Sequence, residues 1–202
     1  PKTPKPQNPA KMICKLISKR MLQKVIDKVN QQDGDKTIGL VQEGDIFFLV
    51  LNRADNDFDE RTIAVISSHL DTVSKAKGAR ILLTIGTGPK FFSTGFSLKA
   101  FAADPINPFT MPPLMMKLLK KLLVLRVPTM CVMNGNAMAG GYIFALCHDY
   151  RILRENCKIT LSEINIGLPL PGGYTNLVRE LLPTQLYRKL NYGVKVDAQE
   201  ML

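Results

Sequence analysis

Thr129-Met130-Cys131-Val132-Met133-Asn134-Gly135-Asn136-Ala137-Met138-Ala139-Gly140-Gly141-Tyr142-Ile143-Phe144-Ala145-Leu146-Cys147 holds three kinds of local structure in one run. Pro128 stops whatever precedes it, and Thr129–Met133 then reads as a short buried strand. The Asn/Gly-rich stretch 134–139 reads as a turn. Gly140–Cys147 is apolar throughout and reads as a buried helix. A strand, a glycine turn and a helix in immediate succession are the grammar of an α/β domain with a largely parallel sheet.

The same grammar extends outward in both directions. Thr37–Gln42 and Ile46–Asn52 flank Glu43-Gly44-Asp45 and predict a hairpin. Asp57 or Asp59 then caps a helix whose Ile63, Ile66, Leu70 and Val73 share one face. Arg80–Ile85 is a short strand that ends in Gly86-Thr87-Gly88-Pro89, and Met115–Leu125 is a helix. Downstream, Tyr150–Leu153 predicts a strand, and Tyr174–Leu182 and Thr184–Tyr192 predict helices. No linear internal repeat is visible.

Charge is unevenly placed. The net charge is +10, but residues 1–30 hold eight Lys/Arg and one acid, so the remaining chain is near balance. Residues 1–10 are proline-rich and read as a linker. Residues 11–30 place Ile13, Leu16, Ile17, Val25, Ile26 and Val29 at helical spacing, with Lys15, Lys19, Lys24 and Lys28 opposite. This reads as a surface helix or the remnant of a targeting segment; a membrane-surface or partner-binding helix is the alternative. We therefore divide the chain into a basic extension, 1–36, and a domain, 37–202.

The balanced body has no aromatic–basic stripe, which argues against nucleic-acid binding. No apolar stretch reaches membrane-spanning length. Four cysteines without CxxC spacing and two histidines argue against a metal site. Cys131, Cys147 and Cys157 lie in apolar runs and read as buried thiols of a reducing compartment.

Three segments carry chemistry. In Phe92-Ser93-Thr94-Gly95-Phe96-Ser97-Leu98, the glycine permits a tight turn, so the Phe96 N–H can face a cleft. In the quoted run, the Gly140 N–H opens a helix, has no internal acceptor and no side chain in front of it. The third segment, Leu161-Ser162-Glu163-Ile164-Asn165-Ile166-Gly167-Leu168-Pro169, presents Glu163 as the sole acid between Glu155 and Glu180. A lone carboxylate among apolar neighbours suits carrying one proton along a substrate. Adding water usually calls for a second acid, and the glycine-led run at 139–146 has none.

Taken in order, FSTGFSL, NGNAMAGG and SEINIGLPLP resemble the three main motifs of the crotonase, or enoyl-CoA hydratase/isomerase, superfamily over roughly residues 37–202. The wording HDYRIL before SEINIGLPLP is most similar to the monofunctional Δ3,Δ2-enoyl-CoA isomerases, especially the plant-type peroxisomal branch. The resemblance implies an α/β fold made as a spiral of ββα units, with two roughly perpendicular sheets flanked by helices. It implies acyl-CoA thioester substrates, coenzyme A as part of the substrate rather than a separate cofactor, and a homo-oligomer (trimer or hexamer) or a larger assembly.

Carried onto this sequence, the resemblance assigns the oxyanion donors to the Phe96 and Gly140 N–H groups. The glutamate that hydratases carry three residues after the glycine falls on Ile143, and the one that isomerases retain falls on Glu163. Ile143, Leu161 and Leu168 are the expected substrate pocket. Lys90, Ser93 and Gly95 are the expected CoA contacts, with Lys99 and the loop Asn52–Phe58 nearby. His148, Tyr150 and Arg151 are read as structural. Ser97 stands where the family usually has Asp, and the family's closing C-terminal helices are expected to be missing after Leu202.

The reading is thus a Δ3,Δ2-enoyl-CoA isomerase of unsaturated fatty-acid β-oxidation, mitochondrial or peroxisomal. The alternatives are an enoyl-CoA hydratase or related thioester chemistry on the same scaffold, and an inactive crotonase-fold subunit with an assembly or binding role.

Overall fold

In a computed structural model describing residues 19–32, 36–78 and 80–201, the chain winds through successive turns that build two sheets. The first turn supplies β1 (Ile38–Glu43), β2 (Ile46–Leu51) and helix α2 (Glu60–Lys75), after a preceding helix α1 (Lys19–Gln31). The second supplies β3 (Ile81–Gly86), β4 (Phe91–Ser93), α3 (Leu98–Ala103) and α4 (Asn107–Leu123). The third supplies β5 (Thr129–Met133), β6 (Asn136–Met138) and α5 (Gly140–Leu146). The fourth supplies β7 (Tyr150–Leu153), β8 (Lys158–Thr160), a 3₁₀ turn (Glu163–Ile166), α6 (Gly172–Leu181) and α7 (Thr184–Asn191), and β9 (Val196–Asp197) follows.

The first strand of each turn joins a five-stranded sheet ordered β1-β2-β3-β5-β7. In the first turn the second strand, β2, stays in that sheet; in the later turns the second strand, β4, β6 or β8, joins a four-stranded sheet ordered β4-β6-β8-β9. Apart from the β1–β2 hairpin and the β8–β9 pair, neighbouring strands run parallel. This is the α/β spiral of ββα units, with two sheets flanked by helices, that the motifs imply.

The inner strands β2, β3 and β5 of the large sheet are almost wholly apolar without alternation because both faces are covered. Phe47, Leu49 and Leu51 of β2 face a core shared with Ile63, Ile66, Leu70 and Val73 of α2 and with Met115, Leu118 and Leu119 of α4. Phe48 and Val50 face the other way, beside Leu83, Ile85 and Met130, and there Val25 and Val29 of α1 cover them. The apolar stripe of α1 is therefore spent on the sheet, and Lys24 and Lys28 reach Glu43 at the hairpin. Helix and sheet share a core across the division expected at residue 36. The linker, Cys14 and the apolar positions Ile13, Leu16 and Ile17 lie outside the described residues.

Gly39 makes that contact possible. A Cβ on it would overlap the Val29 side chain.

Local expectations met the structure at several points. Asp59, not Asp57, caps α2, in a reciprocal box with Thr62. Ser97 caps α3 by accepting from the Ala100 N–H at 3.4 Å, so serine fills the role expected of aspartate. Helix α4 starts at Asn107 rather than Met115. Pro112 and Pro113 cost it two main-chain donors, yet Met111 and Met115 are buried and hold it to the core. The hydroxyl of Tyr174 donates to the Pro112 carbonyl at 2.6 Å and ties α6 to α4. The strands β4, β6, β8 and β9 went unread because each spans three residues or fewer.

His148, Tyr150 and Arg151 follow α5, and the first and last of them finish it. The His148 ring lies 3.1 Å from the Phe144 carbonyl through Nδ1 and 2.8 Å from Thr84 Oγ1 through Nε2. Arg151 donates to the Leu146 and His148 carbonyls at the helix end. Burial pushes the His148 imidazole down to about 4.

Two predictions follow from these contacts. Gly39→Val should lower stability by about 1–3 kcal/mol through overpacking. Urea unfolding should show part of this loss restored when Val29→Ala is added. For His148, the neutral ring is the native form, so the unfolded chain takes up its proton first as pH falls. Its contribution is present above the ordinary histidine value of 6.5 and is lost as pH falls towards 4. Between pH 7 and 5 the parent should lose about 2 kcal/mol more than His148→Gln in the same unfolding assay. Equal losses would mean that the ring titrates normally.

Candidate active site

Three short strands of the small sheet bring the three chemical segments together. β4 leads into the Gly95 turn, β6 into Gly140, and β8 into Glu163. β6 pairs in parallel with both of the others: Ser93 sits opposite Ala137, and Met138 opposite Thr160.

The first turn is shaped by groups that leave the Phe96 N–H unpaired. Phe58 and Phe96 form a parallel bridge, in which the Phe58 N–H donates to the Gly95 carbonyl at 2.7 Å and the Ser97 N–H donates to the Phe58 carbonyl at 2.9 Å. In such a bridge the intervening residue's own N–H points away from its partner. Among the described residues the Phe96 N–H has no acceptor. Gly95 adopts φ 85, and a Cβ on it would lie 2.8 Å from the Gly140 nitrogen. Only glycine lets the two turns approach this closely.

The second turn is strained. Ala139 has φ 50 and ψ −131, a conformation that costs a non-glycine residue about 1–3 kcal/mol. Its N–H donates to the Thr160 carbonyl at 2.9 Å, which fixes it to the end of β8. The outcome is that Gly140, the first residue of α5, presents its N–H beside Gly95 and Phe96, with no acceptor among the described residues. A Cβ on Gly140 would meet Gly95 Cα at 3.7 Å and the Phe96 ring at 3.9 Å. Two unpaired amides on touching turns can bind the oxygen of a polarised carbonyl.

Glu163 lies three residues beyond Thr160, the residue that binds Ala139. It opens the 3₁₀ turn, which Gly167 closes in the left-handed conformation (φ 70), and the Leu168 N–H returns to the Glu163 carbonyl at 3.0 Å. The side chain lines a cavity of about 180 Å³ with Leu161, Ile164, Leu168, Pro169, Leu170 and Asn191. Its Oε2 is buried and has no hydrogen-bond partner. Burial in this apolar wall raises the carboxyl above the usual glutamate range, and its own main-chain N–H partly offsets that. A desolvated carboxylate of this kind is a stronger base than one in water.

The expected residues thus fall into two groups joined by Thr160. Phe96 and Gly140 touch, and Glu163, Leu161 and Leu168 share the cavity. Ile143 is not in the cavity wall. Helix α5 is buried on every side, and Ile143 points into the core. Ser93 is fully buried; its hydroxyl donates to the Asn56 carbonyl at 2.7 Å and accepts from the Gly95 N–H at 3.2 Å. Ser93, expected to contact CoA, thus braces the Gly95 turn from inside with its side chain. Lys90 is exposed over the Phe91 ring, and Lys99 is exposed on α3.

Sequence reasoning missed Asn56. It is buried with φ 48, and its side chain accepts from the Arg53 N–H and donates to the Phe92 carbonyl at 2.9 Å. It binds the loop after β2 to the strand that leads into the Gly95 turn. An asparagine between strand and helix, a residue type tolerant of left-handed backbone, was the available signal. Ala139 offered none, because alanine does not announce positive φ.

The comparisons with known proteins agree with this architecture. A family profile described as enoyl-CoA hydratase/isomerase matches residues 42–202. Enoyl-CoA delta isomerase 2, peroxisomal, from Arabidopsis thaliana is 35% identical over 174 residues, covering 80% of this chain and 71% of the relative. Carnitinyl-CoA dehydratase from Shigella flexneri is 28% identical, covering 83% of this chain and 65% of the relative. An enoyl-CoA hydratase structure from Bacillus anthracis superposes with TM-score 0.76 at 22% identity, covering 81% of this chain and 66% of that one. The chain therefore spans about two thirds to seven tenths of the length of these relatives. With its motifs, its spiral of paired sheets and its match over residues 42–202, the chain belongs to the enoyl-CoA hydratase/isomerase family.

Proposed function

We propose that the chain is a Δ3,Δ2-enoyl-CoA isomerase, and the observation that carries this reading is the Glu163 carboxyl, largely desolvated with its Oε2 buried and unpartnered, with no second acid at Ile143. The substrate is a 3-enoyl thioester whose carbonyl oxygen meets the Phe96 and Gly140 N–H groups. Glu163 takes the C2 proton; the C2–H bonding pair enters a dienolate with its negative charge on the thioester oxygen. The carbonyl re-forms as the electrons return, C2=C3 is made, and the former C3=C4 pair takes the proton from Glu163 at C4. No atom is gained or lost and the carboxylate is regenerated. Losing one such oxyanion donor typically costs about 2.7–4 kcal/mol, and a positioned base contributes roughly 10²–10⁴-fold.

The 35% identity to an isomerase over most of the chain supports the reading, and the word peroxisomal in that relative's name favours the peroxisome over the mitochondrion. Exposed apolar side chains such as Phe109, Val124 and Ile166 support assembly into a trimer or hexamer. The dehydratase relative favours water addition or removal as the second reading. Against it, the family's second-acid position holds Ile143 inside the core.

Glu163→Gln should lower turnover of cis- and trans-3-enoyl-CoA at least about 100-fold with KM little changed. Near-normal turnover would remove Glu163 as the base, and release of 3-hydroxyacyl-CoA from 2-enoyl-CoA by the parent would favour hydration. The base must be ionised, and burial holds it protonated to a higher pH than in water. In a pH profile, kcat/KM should therefore fall on the acid side with a midpoint above the ordinary glutamate value of 4.5. A midpoint at or below that value would mean that the carboxyl is solvated in the working enzyme.

A further inference from the structure

Asn191 is the last residue of α7 and lines the same cavity as Glu163. The other walls, Leu161, Ile164, Leu168, Pro169 and Leu170, are apolar. Among those lining residues Asn191 is, besides Glu163, the one with a polar side chain. Within the described residues the Asn191 side chain has no hydrogen bond, and Glu163 Oε2 has none either. The cavity therefore holds one orphan acceptor and one idle pair of donors.

The end of α7 and the Glu163 turn are also locked together. Gly193 (φ 73) packs against that turn so closely that a Cβ would lie 2.8 Å from Asn165 Oδ1 and 3.0 Å from Ile164 Cγ2. Its carbonyl accepts from Thr160 Oγ1 at 3.3 Å, and its N–H donates to the Leu190 carbonyl at 2.9 Å. The backbone beneath Asn191 thus has a fixed relation to the backbone beneath Glu163.

We propose that Asn191 is a positioning residue for Glu163: its side-chain N–H donates to the carboxylate across the cavity, aims the reactive oxygen and stabilises the ionised form. The kinetic part rests on the isomerase reading; the protonation part does not. Donation to the charged form counters the desolvation of the carboxyl. Asn191 sets how much of the base is available at a given pH, while the apolar walls set its strength.

The test is difference infrared titration of the carboxyl band in the whole chain, with Glu163→Gln identifying the band. In Asn191→Leu the band should titrate about one pH unit higher than in the parent, a shift typical of one lost charge-assisted donor. The acid limb of kcat/KM should move by the same amount with KM within about twofold, and Asn191→Gln, which keeps the donor, should recover most of the shift. Asn191→Ala serves equally if leucine disturbs α7, as judged by circular dichroism. An unchanged titration in a folded variant overturns the proposal, whatever the activity. A shifted titration in a protein without isomerase turnover keeps the proposal and removes the isomerase reading.

Discussion

The close approach of two main-chain turns, Gly95–Phe96 and Ala139–Gly140, is the constraint on which the rest of the site depends. Its backbones are as near as a missing side chain allows, with the Gly140 nitrogen where a Gly95 Cβ would press at 2.8 Å. The small sheet exists to make this meeting possible. Its strands are too short to add much core, yet β4, β6 and β8 each deliver one turn to the site. Ser93, Asn56 and Thr160 spend their hydrogen bonds on holding the turns rather than on any ligand. The strain at Ala139 is sustained because the Thr160 carbonyl and the buried helix α5 leave the chain no easier course.

Electrostatic design follows from the same layout. The two unpaired amides and the carboxyl belong to one layout: Glu163 stands three residues past Thr160, whose carbonyl fixes the Ala139–Gly140 turn. Around it the wall is apolar, so its proton affinity is raised by lack of solvent rather than by a neighbouring charge. His148 is also desolvated, but in the opposite direction for an imidazole, and its bonds to Thr84 and Phe144 make it a fastener of α5. Two buried titratable groups thus have different work: one faces a cavity and one faces only the core.

The large sheet was legible in the sequence because β2, β3 and β5 are unbroken apolar runs bounded by Gly, Asp or Pro. The motif residues Phe96, Gly140 and Glu163 were legible through glycine placement and through a carboxylate with no acidic neighbours. The small sheet was not, since three-residue strands carry no period. The burial of Ile143 and Ser93 was not legible, because sequence proximity to a motif does not tell which way a side chain points. Asn191 lay 28 residues beyond Glu163, and only the packing of Gly193 on the 3₁₀ turn brings it alongside.

Helix α1 precedes the span that the family profile covers, yet it roofs Phe48, Val50, Leu83 and Met130. Without Val25 and Val29 those four side chains would meet water on that face, so the sheet depends on residues outside the family span for one of its two covers.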